Sequence, residues 1–163
     1  MGKKNKLPPE DPLVFRDFNN DSIELSIDGL PIGKGRPKVT SRFGHAFAYT
    51  PTRTKDYEQK IKMTYINNYT YFHRLDGPLE ATINQYFPVP KGTSKVKHQK
   101  MINNEIQHTK KPDIDNIIKS ILDGLNGLAY EDDSQIVSLT ANKYYSDNPR
   151  VDVSIKKINR GEL

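Results

Sequence analysis

Cysteine is absent from this 163-residue chain. That excludes disulfides, thiolate zinc sites and cysteine nucleophiles, and it fits a cytoplasmic protein. Apolar residues are scarce, at 34%, and the mean hydropathy is −0.77. No apolar run approaches membrane-spanning length, so no membrane partner is expected. The opening residues MGKKNKLPPE contain no apolar stretch of the secretory kind. Lys6 stands where an N-myristoylation signal wants Ser or Thr. The histidines (His45, His73, His98, His108) are scattered, without metal-ligand pairing. There is no phosphate-binding loop of the NTPase kind and no plausible serine triad.

Positive charge is present in excess. The net charge is +5 and the pI is near 9.2, which favours polyanionic partners. Residues 113–133 run against this balance. They hold six carboxylates (Asp113, Asp115, Asp123, Glu131, Asp132, Asp133) and one base, Lys119. The segment is therefore −5 and the rest of the chain +10. Crowded carboxylates repel unless protonated or neutralised by a cation. A divalent metal inside a polyanion-attracting surface satisfies both halves of the pattern and points to a metal-dependent enzyme acting on nucleic acid.

One domain is expected over 22–163, after a polar lead-in at 1–21. Ser22–Asp28 alternates as a half-buried strand. Gly29 to Pro51 is polar and rich in Gly, Pro and bases, and it reads as a long functional loop. A helix capped by Thr52 or Thr54 runs to about Phe72, burying Tyr57, Ile61, Tyr65 and Tyr69. A strand carries Leu79, Ala81, Ile83 and Phe87 and ends at Pro88 and Pro90. Lys91 to Lys111 is a second basic loop, with a short helix near 97–103. A second main helix spans about 114–125 and stops at Asn126-Gly127. Two strands follow, one with Val137, Leu139 and Ala141 and the other with Val151, Val153 and Ile155. The turn at Asp147-Asn148-Pro149 joins them as a hairpin. The fold class is α+β: a mixed sheet of about four strands with two main helices on one face, and long basic loops.

Magnesium takes oxygen ligands and keeps several waters, so two or three carboxylates suffice. Asp113 lies at or before the helix start and Asp115 in its first turn, where the dipole favours anions. Asp113, Asp115 and Asp133 converge if the strand after Asp133 begins beside the helix N-terminus. Each piece has a plainer reading. Asp-x-Asp also occurs in helix capping, Asp132-Asp133 can be a solvated turn, and Asp115, Lys119 and Asp123 at i, i+4, i+8 describe an ion-paired helix face. Taken alone, Lys119 favours that plainer reading. An EF-hand fails because Ile118 occupies the glycine position.

Lys111-Pro-Asp-Ile-Asp-Asn116, Lys119, Leu122-Asp-Gly-Leu-Asn-Gly127, Tyr130 and Asp132-Asp-Ser-Gln-Ile136 together resemble the signature of the RusA-type Holliday-junction resolvases. Gly33-Lys-Gly-Arg-Pro-Lys38, Tyr49-Thr-Pro51 and Phe87-Pro-Val-Pro90 are similar to that family's earlier segments. The resemblance covers about 22–157. It implies a RusA-like fold and a homodimeric, Mg²⁺-dependent endonuclease, with Mn²⁺ as a possible substitute. Its substrate would be four-way DNA junctions, cut by paired symmetric nicks in recombination and repair. By motif, Asp113, Asp115 and Asp133 match the metal-binding carboxylates and Asp132 an accessory acid. Lys119 matches the catalytic lysine, which reverses its isolated reading. Asp123 matches a helix aspartate without an assigned role. A phage or prophage origin also fits the resemblance.

Two basic regions are the expected DNA surfaces: Lys34, Arg36, Lys38, Arg42 and Arg53 in one, and Lys91, Lys95, Lys97, Lys100, Lys110 and Lys111 in the other. Phe43, Phe47 and Tyr49 either stack on bases or anchor their loop to the core. A four-way junction has two-fold pseudosymmetry, which suits a symmetric dimer, with the Tyr-rich helix over 54–72 as one possible interface. The alternatives are a non-catalytic branched-DNA-binding accessory protein and a nuclease with broader branched-DNA specificity.

Overall fold

Alternating burial in β1 (Ser22–Asp28) sends Ile23, Leu25 and Ile27 inward. The same period governs β4 (Leu79–Phe87), whose Leu79, Ala81, Ile83, Gln85 and Phe87 are buried, and β6 (Arg150–Lys157), which buries Val151, Val153 and Ile155. With β5 (Ile136–Tyr145) these strands form one sheet in the order β1-β6-β4-β5. β6 is antiparallel to β1 and β4, and β4 is parallel to β5. The computed structural model describes residues 21–69 and 73–158, so nearly all of the lead-in lies outside the described residues.

The expected hairpin between the last two strands does not form. β4 inserts between β5 and β6, and the Asp147-Asn148-Pro149 turn carries the chain across its end. β4 takes the centre because one of its faces is wholly buried and its backbone needs partners on both edges. The expected long loop 29–51 also contains regular structure, a two-stranded ribbon of β2 (Lys38–Arg42) and β3 (His45–Tyr49). All ten of its strand residues are exposed, so no buried side marks it in the sequence.

Among the described residues three α-helices complete the fold: α1 (Thr52–Asn68), α2 (Lys95–Ile102) and α3 (Ile114–Leu125). Pro51, not a threonine, holds the N-cap of α1. Tyr57, Ile61 and Tyr65 of α1 pack with Ile117, Ile121 and Leu125 of α3 in one core over the sheet. Tyr57 and Tyr65 of α1 are thereby used inside the molecule, while Met63 and Ile66 on its outer face are exposed. α1 and α3 approach closely at Gly124, where an added Cβ would lie 2.9 Å from Ile61 Cγ2.

The direction of α3 decides which residues can meet at each of its ends. Near its start, Gln85 Nε2 donates to the Ile114 carbonyl at 3.4 Å and Lys143 Nζ to the Pro112 carbonyl at 2.8 Å. Gln85 and Lys143 lie toward the ends of β4 and β5. Past its C-terminus, Tyr130 pairs with Leu75, which precedes β4, and its hydroxyl donates to the Leu122 carbonyl at 2.7 Å. α3 therefore runs opposite to β4 and β5.

Candidate active site

Asp113 occupies the N-cap of α3, yet its side chain makes no capping hydrogen bond. Asp115 follows in the first turn, and both are exposed. Lys119 Nζ lies 3.6 Å from Asp115 Oδ2, an i,i+4 pair with both side chains more than half exposed. An exposed pair of this kind contributes little to stability, which leaves Lys119 free to turn toward a ligand. Asp113 and Asp115 lie at the N-terminal, positive end of the helix dipole.

Two clefts meet at Asp113. A cleft of about 850 Å³ has Arg36, Arg53, Lys111 and Asp113 in its walls. A second, of about 450 Å³, is bordered by Asp113, His108, Lys110 and Lys143. Basic residues from four segments of the chain thus surround one acidic helix start. The Gly33–Arg36 loop is fastened there by its backbone: Lys34 N donates to the Asn116 carbonyl at 2.8 Å and Gly35 N to Thr54 Oγ1 at 2.9 Å. A Cβ on Gly33 would sit 3.1 Å from Pro112 Cβ and 3.2 Å from Asn116 Cβ, so glycine permits the loop to lie against α3.

Lys34 also lines the larger cleft, but its charge is already engaged. Its ammonium bonds Asp123 and lies 3.6 Å from Glu58 Oε1. The Asp123 hydrogen bond, acting against partial burial, raises its pKa. This supplies the role Asp123 lacked: it ties the basic loop to α3.

Asp132 and Asp133 lie elsewhere. They follow the C-terminal end of α3, and a helix of 12 residues is roughly 18 Å long. Burial chiefly, then the charges of Asp133, Asp123 and Asp132, push the Tyr130 phenol up, which places those carboxylates around Tyr130. The expected convergence of Asp113, Asp115 and Asp133 within one chain is thus not found, because β5 begins beside the end of α3 and not its start. Among the described residues no group of three His, Cys, Asp or Glu is gathered closely enough to hold a metal. The two neighbouring acids also differ. Asp132 caps the 3₁₀ turn Asp133–Gln135, accepting from Ser134 N at 3.4 Å and from its hydroxyl. These bonds lower its pKa. Among the described residues the Asp133 carboxylate is party to none of the hydrogen bonds, and it is exposed.

Lys38 and Arg42 lie on the β2–β3 ribbon, and Lys91, Lys95, Lys97 and Lys100 lie on or before α2, all exposed. Phe43 is 91% exposed at the ribbon tip, with Phe47 and Tyr49 exposed along β3, so the reading in which they anchor the loop to the core fails. Arg42 stacks over Phe43 with its guanidinium carbon 5.9 Å from the ring centroid.

Two residues at the site were missed. Lys143 donates to the carbonyls of Lys110 and Pro112, fixing the approach to Asp113, and burial lowers its pKa against the pull of Asp113. His108 stacks on Phe87 at 4.0 Å between centroids, and its buried Nδ1 lacks a partner. A lysine on the inward phase of β5, after Val137, Leu139 and Ala141, was the available signal for Lys143. Nothing local marks His108.

Comparison with known proteins bears on the whole of this region. A family model described as "Endodeoxyribonuclease RusA" matches residues 28–156, which include all of the candidate site residues. The "Uncharacterized protein YqaN" of Bacillus subtilis (strain 168) is 35% identical over 144 residues, spanning 85% of this chain and 98% of that protein.

Proposed function

The chain belongs to the RusA endodeoxyribonuclease family, and from that membership we propose that it resolves four-way DNA junctions by paired, symmetric, Mg²⁺-dependent nicks during recombination and repair. The observation that carries this reading is the basic cleft walled by Arg36, Arg53 and Lys111 that has Asp113 in the same wall. A phosphodiester drawn in by the cations arrives beside an uncapped carboxylate.

The donor set fits a hard divalent cation. Asp113 and Asp115 offer exposed carboxylate oxygens at one helix start, and Asp113 uses none in capping. Mg²⁺ retains waters and takes few protein ligands, and Mn²⁺ accepts the same oxygens. The chemistry such a cation supplies when bound is a more acidic attacking water and relief of charge on the phosphoryl oxygen. Asp133, with its free carboxylate, is favoured over Asp132 as the further ligand, and since it lies past the far end of α3 in its own chain it would come from a second copy. Lys119 stabilises charge on the phosphorane or the leaving oxygen. Lys143 is a positioning residue that holds the Lys110–Pro112 approach to Asp113. Arg36, Arg53, Lys110 and Lys111 bind backbone phosphates beside the site, and Lys38 and Arg42 extend the track along the ribbon. Two symmetric nicks need two sites, so the active form is a homodimer.

The test is a synthetic four-way junction incubated with protein, with and without Mg²⁺. Paired nicks that need the metal are expected. Retarded but intact DNA would favour a binding accessory, and equal cutting of flaps and forks a broader nuclease. Asp113→Asn, Asp115→Asn and Asp133→Asn should each abolish cleavage with junction binding retained, and Lys119→Ala should lower kcat more than affinity.

A further inference from the structure

Folding alone does not account for the β2–β3 ribbon. Its strands are joined by a two-residue turn, and both turn residues have positive φ, Phe43 at 52° and Gly44 at 78°. A hairpin turn with two such residues favours Asn, Asp or Gly, and a bulky side chain is a poor occupant of left-handed backbone. Phenylalanine stands there all the same, 91% exposed, so no burial offsets the strain. The ribbon also has two unlike faces. Residues directly opposite one another in an antiparallel pair share a face. The register therefore gathers Lys38 with Tyr49, Thr40 with Phe47 and Arg42 with His45 on one side, and Val39 with Ala48 and Ser41 with Ala46 on the other. One face is cationic and aromatic, the other is small, and both are exposed. From Gly29 to Lys55 the chain has six Lys and Arg and no acidic residue.

We propose that this ribbon tells branched from continuous DNA: its cationic, aromatic face lies along one arm, and Phe43 enters the branch point and stacks on a base at the strand exchange. Charge selects the occupant, because a face that interleaves Lys38 and Arg42 with Phe47 and Tyr49 suits a phosphate backbone carrying stackable bases. Continuity with the cleft selects it too. The strands begin two residues after Arg36 and end two residues before Pro51, and both of those residues wall the cleft that holds Asp113. DNA seated in the cleft therefore runs on to the ribbon, whose five-residue strands reach roughly 16 Å. The position of Phe43 gives the discrimination. An apolar side chain that enters a continuous duplex must first part a stacked step, at a cost of about a few kcal/mol. At a strand exchange the stack is already interrupted, so the same side chain enters there with little opposition. Arg42, whose guanidinium lies over the Phe43 ring, brings a cation to the phosphates at the same point. This inference rests on the junction-cutting reading above and adds the residue that recognises the branch.

Binding is measured in Mg²⁺ in the Asp115→Asn background, on a synthetic four-way junction and on a duplex with the sequence of one pair of arms. Phe43→Ala should weaken junction binding about tenfold, the loss of one stacked base, and duplex binding by less than about twofold. Phe43→Tyr should keep the preference for the junction. Phe43→Asn separates recognition from folding. Asparagine tolerates left-handed backbone, so this variant should melt at or above the temperature of the unmodified protein and still lose the preference as alanine does. With p-benzoylphenylalanine in place of Phe43, irradiation should cross-link the nucleotides that flank the exchange. Equal losses on junction and duplex, a junction affinity unchanged by alanine, or cross-links spread along the arms would overturn the proposal. Cross-links to protein and not to DNA would assign the ribbon to a second copy and overturn it as well. If the unmodified protein binds the junction no better than the duplex and leaves it uncut in Mg²⁺, the junction-cutting reading fails and this inference with it. If it cuts junctions while Phe43→Ala keeps the full preference, only the role of Phe43 fails.

Discussion

Asp132 and Asp133 are adjacent in the chain, but their carboxylates face different tasks. Asp132 accepts from Ser134 and closes a reciprocal cap with Gln135, whose amide oxygen accepts from Asp132 N at 3.2 Å. An asparagine keeps a capping oxygen, so Asp132→Asn should retain most of the cleavage rate and Asp133→Asn should lose it; single-turnover cleavage of a labelled junction measures both. His108 makes a second prediction. Burial first, then Lys143 and Lys110, lower its pKa from the ordinary 6.5. The unfolded chain therefore binds the proton at higher pH than the folded one. Stability conferred by this group is complete above 6.5 and is lost as pH falls toward the folded value. Tm should drop as the pH falls below 6.5, and His108→Phe should flatten that part of the curve. None of this was visible along the chain. The acids and Lys119 stand out by composition and motif, but whether a carboxylate is free or used in a cap depends on neighbours that only the folded turn provides. Lys34 looked like a phosphate contact for the same reason, since its partners Asp123 and Glu58 lie far along the chain.

α3 joins the core to both acidic groups, and its crossing with α1 sets their placement. Gly124 permits that crossing, because a Cβ there would meet Ile61 Cγ2 at 2.9 Å and Ile61 Cβ at 3.0 Å. Gly124→Ala gains about 1 kcal/mol in helix propensity but overpacks the contact at a cost of about 1–3 kcal/mol. A net loss of stability is expected in urea unfolding, partly restored by adding Ile61→Val. An alanine variant more stable than the unmodified protein would show that the helices separate freely. At this scale the periodicities were legible: β1, β4, β6, α1 and α3 lie close to where alternation and the i, i+3, i+4 pattern put them. Pairing was not. The Asp147-Asn148-Pro149 turn reports that the chain reverses, and it carries no information about a strand inserted between the two arms. The direction of α3 relative to β5 is likewise a property of that inserted strand. It decides that Asp133 lies near Asp123 and far from Asp113.

For the whole molecule, the excess of positive charge predicts how affinity depends on salt. Each phosphate neutralised by a Lys or Arg releases counterions and contributes about −0.9 to the slope of log affinity against log salt on duplex DNA. Arg36 and Arg53 wall the cleft beside Asp113. Arg36→Ala or Arg53→Ala should each make the slope shallower by about one contact. Lys34 carries the same formal charge in the same loop, but its ammonium is held by Asp123 and Glu58. Removing it should leave the slope nearly unchanged while lowering cleavage, because the loop loses its tie to α3. Titrations of a catalytically silent Asp115→Asn background over a range of salt concentrations measure this, since junction binding can then be followed in Mg²⁺ without cutting. A slope that falls as far for Lys34→Ala as for Arg36→Ala would mean that Lys34 leaves its carboxylates for phosphate, and that Asp123 is released toward the acidic residues around Tyr130 when DNA binds.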